Sequence, residues 1–210
     1  MEHRNLEEEK YWDDQVDVRI KVKNKQLSYN DNFFKRSEIL RKLLAYHFDK
    51  ADVLEIGCAL PTLYIALKSC ANLKSYKGTD VSGKYCAAAK EICGVDARKA
   101  KANCLPFESD SFNTLFAFDV LEHIHPDERH SSYKEIDRVL KKDAIVFINN
   151  PLAETQHDLN FDHELDDADI VDFSISLGMS IDVIEKYTIP LLQGDKPISY
   201  QWIVMSRGEI

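Results

Sequence analysis

The stretch ADVLEIGCALPTLYIAL, Ala51–Leu67, decides the fold. Asp52–Ile56 is a short apolar run interrupted by one acid, the pattern of a strand buried on both faces. It stops at Gly57, and four residues later Pro61 opens a helical pattern that the spacing carries to Cys70. Proline suits the first turn of a helix, where its missing N–H costs nothing. A strand that ends on glycine and feeds a helix so closely is the opening of a βαβ unit.

Working outward, the same alternation continues. Ser75–Thr79 reads as a strand ending at Asp80, and Ser82–Cys93 as a helix with Ser82 as its N-cap. Val95–Ala100 is a weak strand, Phe112–Asp119 a strong one, Pro126–Lys141 a helix and Ala144–Asn149 a strand. A helix from Leu165 to Leu177 stops at Gly178, and strands at Met179–Tyr187 and Ile198–Ser206 close the pattern around TIPLLQGDKP, which reads as a loop between antiparallel neighbours. Upstream, Ile39, Leu40, Leu43, Leu44 and Phe48 recur at helical spacing from Asp31 onward. Residues 1–30 lack a clean period and mix charge with Tyr11, Trp12 and Tyr29, so they are expected to be an extension, or lid, on a main body at 31–210. Alternating strands and helices build an α/β fold with a mostly parallel sheet and helices on both faces.

The totals agree with one globular domain: 210 residues, 44% hydrophobic and 30% charged. No window approaches a membrane span, and the acidic start MEHRNLEEEKYW lacks the apolar core of a secretory signal, so a cytoplasmic protein without a membrane partner is expected. The net charge of −9 argues against a DNA partner. The basic run RIKVKNK, Arg19–Lys25, reads as a strand edge with a solvated lysine face. Five cysteines, Cys58, Cys70, Cys86, Cys93 and Cys104, with no C-x-x-C pair, argue against a disulfide framework or structural zinc and read mostly as small core residues.

In parallel sheets a ligand sits beyond the carboxyl ends of the strands, where strand order reverses. Gly57 allows close approach there, the helix from Pro61 turns its N–H groups toward the same place, and Asp80 ends the next strand with a carboxylate able to accept from a ribose diol. These features fit a dinucleotide or S-adenosylmethionine. The G-x-G-x-x-G positions hold Gly57, Ala59 and Thr62, and the acid-x-Gly-x-Gly-x-Gly positions hold Glu55, Gly57, Ala59 and Pro61. Neither pattern is complete, and the loop alone leaves both open.

VLEIGCALP, YKGTDVS, LPFESDSFNTLFAFDVLEHI and EIDRVLKKDAIVFINNP occur in this order over residues 50–150. Together they resemble the class I S-adenosylmethionine-dependent methyltransferases, especially their small-molecule branch. The resemblance implies a three-layer Rossmann-like methyltransferase sandwich, a mostly parallel seven-stranded sheet with a C-terminal antiparallel strand. It implies S-adenosylmethionine as methyl donor, S-adenosylhomocysteine as product and a small-molecule acceptor. It places Glu55, Gly57, Cys58 and Ala59 at the amino-acid end of the donor, Asp80 on the ribose and Val81 on the adenine. The family has an acid before LPF to read the adenine amino group. Here Lys101 stands near that place, which leaves Asn103 and the Cys104 backbone for the role. Asp119 and Val120 would lie near the methyl group, with Leu121 beside them.

His123 is the candidate base for an acceptor hydroxyl or amine, with Asp119 next; His125 reads as lining the turn. HDLNFDHE, with His157, Asp158, Asp162, His163 and Glu164, reads as a polar loop rather than a metal site, since it lacks H-x-x-x-H spacing, and the resemblance implies that it faces the acceptor. The expected activity is in-line methyl transfer to oxygen or nitrogen of a small metabolite. The alternatives are an acceptor that is a protein, a lipid head group or RNA, or a non-catalytic binding module on the same fold. The sequence carries no sign of oligomeric state.

Overall fold

The computed structural model describes residues 2–23, 26–29, 33–152, 161–189 and 197–208. Helix α1 (Glu2–Arg19) leads into a hairpin of β1 (Ile20–Lys23) and β2 (Gln26–Tyr29), whose register pairs Ile20 with Tyr29. Helix α2 (Phe33–Leu43) precedes the main sheet. The pattern extending it to Phe48 is corrected: the chain turns at 44–46, leaving Leu44 exposed while Phe48 is buried in the core. The residues 153–160, with His157 and Asp158, and 190–196 of the last loop lie outside the described residues, as do the side chains of Tyr29, Phe33 and Phe34.

The sheet consists of β3 (Asp52–Ile56), β4 (Ser75–Asp80), β5 (Asp96–Lys99), β6 (Phe112–Phe118), β7 (Leu140–Pro151), β8 (Ser180–Ile189) and β9 (Ile198–Ser206). Its order is β5-β4-β3-β6-β7-β9-β8. Neighbours are parallel except around β9, which is antiparallel to both β7 and β8. The chain winds outward from β3 through β4 to β5, then returns to β6 on the other side. The order therefore reverses between β3 and β6, directly beyond Ile56.

Side chains alternate across this sheet. Leu54, Ile56, Leu115, Ala117, Val146 and Ile148 point to one face, where α5 (Pro126–Val139) and α6 (Asp167–Leu177) cover them with Tyr133, Ile136, Ile170 and Phe173. Val53, Phe116, Phe147, Trp202 and Val204 point to the other, under Ile39 and Leu43 of α2 and Leu63 and Leu67 of α3 (Thr62–Leu67). Both faces of the central strands are thus apolar, which is why those strands read as continuous hydrophobic runs.

Helix α3 is shorter than the expected Pro61–Cys70. Pro61 is its N-cap, and the hydroxyl of Ser69 and the thiol of Cys70 bond back to the carbonyls of Ala66 and Leu67, loosening the last turn. Helix α4 (Gly83–Ala88) begins as expected, with Ser82 Oγ accepting from the Tyr85 N–H. It passes into a π-helical turn over Ala89–Cys93 that ends on left-handed Gly94. Gly178 ends α6 in the left-handed region. Cys58, Cys86 and Cys93 are buried, whereas Cys70 and Cys104 are exposed. Among the described residues no helix is long and apolar enough to cross a membrane.

Candidate active site

A cleft of about 390 Å³ opens at the strand-order reversal. That lies within the roughly 300–1,000 Å³ of small-molecule sites. Its floor comes from the carboxyl ends of β3, β4 and β6, and its walls from α1, the first turns of α2, and the segment after β6.

The loop after β3 is held tightly. Gly57 has φ +65, and a Cβ there would come within 2.3 Å of Val120 Cγ2. Ala59 adopts φ +42, an uncommon region for a residue with a Cβ. Its N–H donates to Asp80 Oδ2 at 2.9 Å, and the Ser82 N–H donates to Asp80 Oδ1 at 2.9 Å. Asp80 therefore splints two loops and lines the cleft with lone pairs to spare. Burial raises its pKa to about 6 against those two backbone bonds, and the charges of Asp13 and Glu8 add to the rise. Below the loop, Glu55 is buried and accepts from Tyr76 OH at 2.6 Å. Burial lifts its pKa to about 8 despite that bond.

The segment after β6 is the other wall. Asp119 has φ +53 and its N–H donates to the Asn149 carbonyl at 2.7 Å. Strained backbone of this kind clusters at working sites. Asp119 Oδ2 is ion-paired with Lys35 of α2, while Oδ1 is buried without a hydrogen-bond partner among the described residues. A short 3-10 turn, Leu121–His123, follows. Glu122 is 2% exposed, and its Oε2 is likewise unpartnered among the described residues. His123 Nδ1 stands 2.9 Å from Asp162 Oδ1, and its Nε2 4.0 Å from Glu122 Oε1. The backbone bond from the His163 N–H to the Glu122 carbonyl, 2.8 Å, ties the 161–164 segment to this turn. Burial works against charge on His123, but the facing Asp162 carboxylate and the charges of Glu122 and Asp119 outweigh it and raise its pKa to about 9.

Helix α1 lies across the top. Trp12 packs edge-on against His123 at 5.0 Å, and Tyr11 against Phe161 at 5.4 Å. Asp13 accepts from Ser82 Oγ, Glu9 pairs with Lys99, and Glu8 with Lys101 at 3.3 Å.

The structure brings most of the expected residues together. Glu55, Gly57, Cys58, Ala59, Asp80, Val81, Asn103, Asp119, Val120 and His123 all line the cleft. The Cys104 side chain is exposed and outside it. His125 caps α5 by accepting from the Asp127 N–H at 3.2 Å and packs on His163. Lys101, standing where the resemblance led one to expect an acid, pairs with Glu8 and Glu128. Sequence reading missed Glu122, Lys35, Arg36 and Tyr200, which also line the cleft. Only the acid inside DVLEHI was in view, and nothing in its neighbours announced its burial.

Residues 53–143 match a family described as a methyltransferase domain. None of the curated protein sequences matches. Among solved structures, the YcgJ protein of Bacillus subtilis superposes with a TM-score of 0.68 at 16% identity, over 83% of this chain and 99% of that one. The magnesium protoporphyrin IX methyltransferase of Synechocystis, solved with bound S-adenosylmethionine, gives 0.68 at 15% identity over 97% of both chains. The [4+2]-cyclase SpnF gives 0.64 at 13% identity, over 85% of this chain and 83% of that one. At such identities these likenesses show the fold, and the domain match covers residues 53–143. Residues 53–143 thus match the methyltransferase-domain family, and the chain shares the fold of S-adenosylmethionine-dependent methyltransferases.

Proposed function

We propose that the cleft transfers a methyl group to a nitrogen or oxygen of a small molecule, and that Asp80 and Gly57 hold the donor. The observation that carries this reading is Asp80: buried, lining the cleft, and fixed by the Ala59 and Ser82 N–H groups, one on each carboxylate oxygen. A diol needs two acceptors in a rigid frame, and this carboxylate supplies them. Gly57 lines the same cleft, and the space a Cβ would take already belongs to Val120, so only bare backbone lets the loop lie this close to the segment after β6. Cys58, Ala59 and Val81 complete that wall, and Glu55 supports it from below through Tyr76.

When bound, the donor supplies an electrophilic methyl group on a positive sulfur. The chain's part is alignment and exclusion of water. Asp119 and Val120 face the space beside the donor loop, and Trp12, Phe118, Pro151, Ile198 and Tyr200 make an apolar surround. Asn103 lines the opposite end, beside Ala100 and Ala102. Cys104 has only its backbone to offer, because its side chain faces out. His123 changes role: with a pKa raised to about 9 it holds its proton at neutral pH, so it serves as a fixed positive group between Glu122 and Asp162. Helix α1 forms the cover of the site in this reading, pinned to Ser82, Lys99 and Lys101.

Calorimetry with S-adenosylmethionine tests the assignment. The parent protein should bind, and Asp80→Ala should weaken binding roughly tenfold to hundredfold, the worth of a charged hydrogen-bond acceptor. Equal affinity in the two proteins would remove Asp80 from the donor site.

A further inference from the structure

We propose that the methyl acceptor is an amine, received at the cluster Asp119–Glu122–His123–Asp162, and that Glu122 takes its proton. This rests on the methyltransferase reading above and names the acceptor class for the same cleft.

Three carboxylates meet at this end of the cleft, on two segments far apart in sequence. Two have cations: Asp119 is paired with Lys35, and Asp162 with His123. Glu122 Oε1 stands 4.0 Å from His123 Nε2, and among the described residues Oε2, like Asp162 Oδ1, is buried without a hydrogen-bond partner. Asp119 Oδ1 is also buried without a hydrogen-bond partner among them. A buried carboxylate oxygen left unmatched is costly, and its natural partner is a donor that arrives with the ligand. With the imidazole protonated and Lys35 counted with its partner Asp119, the site holds three negative charges and two positive ones. An ammonium balances it; a carboxylate or phosphate acceptor would worsen it, and an alcohol would leave it unbalanced.

The surround agrees. Lys35 Nζ lies 5.5 Å from the Tyr200 ring centroid while paired with Asp119. The protein's own ammonium thus shows that a cation is accommodated between that ring and the Asp119 carboxylate. Trp12, packed on His123, supplies a second aromatic wall.

In the transfer step the ammonium gives one proton to Glu122 Oε2; the freed nitrogen lone pair forms the N–C bond to the methyl carbon; the C–S bond breaks and its electron pair stays on sulfur. The products are a methylammonium, the neutral thioether S-adenosylhomocysteine, and protonated Glu122, which returns its proton to solvent. Burial raises the Glu122 pKa, against the charge of His123 and with those of Asp119 and Asp162, which suits a group that must take up a proton and give it back.

The test uses phenethylamine, 2-phenylethanol and phenylacetate, matched in body and differing in head group. Each is titrated by calorimetry into the protein loaded with S-adenosylhomocysteine, and each is incubated with S-adenosylmethionine while S-adenosylhomocysteine release is followed. Phenethylamine is expected to bind at least tenfold more tightly than the other two and alone to accelerate release. In Glu122→Gln the amine preference should disappear and release should fall by roughly 10²–10⁴-fold, the range for loss of a general base. S-adenosylhomocysteine affinity should stay within about twofold, since Glu122 is not assigned to the donor. Should Glu122→Gln fail to fold, the head-group preference of the parent protein decides. Preference for the alcohol or the carboxylate, or no preference, overturns the proposal. Absence of S-adenosylhomocysteine binding would instead overturn the donor assignment.

Discussion

Gly57→Ala tests the donor loop at its tightest point, and its cost separates into two parts. The residue has φ +65, where a side chain strains the backbone by about 1–2 kcal/mol. The new Cβ would also stand 2.3 Å from Val120 Cγ2, and Val120 is a stiff, β-branched neighbour, so overpacking adds about 1–3 kcal/mol. The sum, about 2–5 kcal/mol, is a large share of the ~5–15 kcal/mol that holds a typical domain together. Gly94→Ala is the internal control. Its φ of +73 carries the same backbone strain, but a Cβ there would meet no atom within 4 Å, so only about 1–2 kcal/mol is expected. Urea unfolding of the two variants should differ by about 1–3 kcal/mol, and their Tm values by roughly 2–12 °C. Adding Val120→Ala to Gly57→Ala should recover most of that difference. Equal destabilisation of Gly57→Ala and Gly94→Ala would refute the close approach of the β3 loop to the segment after β6, and with it the tight closure of the cleft floor.

Two further predictions concern pH. Asp52 is held at a pKa of about 2, because bonds from Lys141, Lys74 and Ser75 outweigh its burial. A depressed carboxyl stabilises the fold above its unfolded pKa, so this contribution is present above about pH 4 and lost as pH falls through 2. Because Lys74 is well exposed the gain is discounted to about 1 kcal/mol. Asp52→Asn should cost that much in urea unfolding at pH 7 and next to nothing near pH 2; an unchanged gap would contradict the pairing. Glu55 has the opposite sign: burial, with the Asp80 charge behind it, raises its pKa to about 8. The native state keeps a proton that the unfolded chain has released, so stability falls as pH rises from about 4.5 through 8. In thermal unfolding without ligand, Glu55→Gln should exceed the parent in Tm at pH 9 and lose that advantage toward pH 5. A constant offset would show that Glu55 is not the titrating group.

The frame of this molecule was legible because its signals are local. Val53 and Leu54 face opposite cores, and a strand buried on both sides cannot hide in the sequence. Gly57 and Asp80 were readable from their places at strand ends alone. The parts that escaped depend on contacts between distant residues. Lys35 meets Asp119 across 84 positions, and no spacing rule links them. Glu122 looks like any acid in a turn until the fold buries it. Helix α1 has no apolar stripe for a periodicity argument to find; Asp13, Glu9 and Glu8 reach Ser82, Lys99 and Lys101, and Trp12 reaches His123. The end of α3 was overestimated because back-bonding by Ser69 and Cys70 leaves the apolar pattern unchanged.

A crystal structure with S-adenosylhomocysteine tests the central claim most directly. The account predicts both ribose hydroxyls on the Asp80 carboxylate, the amino-acid end against Gly57, and the thioether sulfur turned toward the Asp119–Glu122 wall. A ligand seated elsewhere, or a ribose that leaves Asp80 bonded only to Ala59 and Ser82, would contradict it.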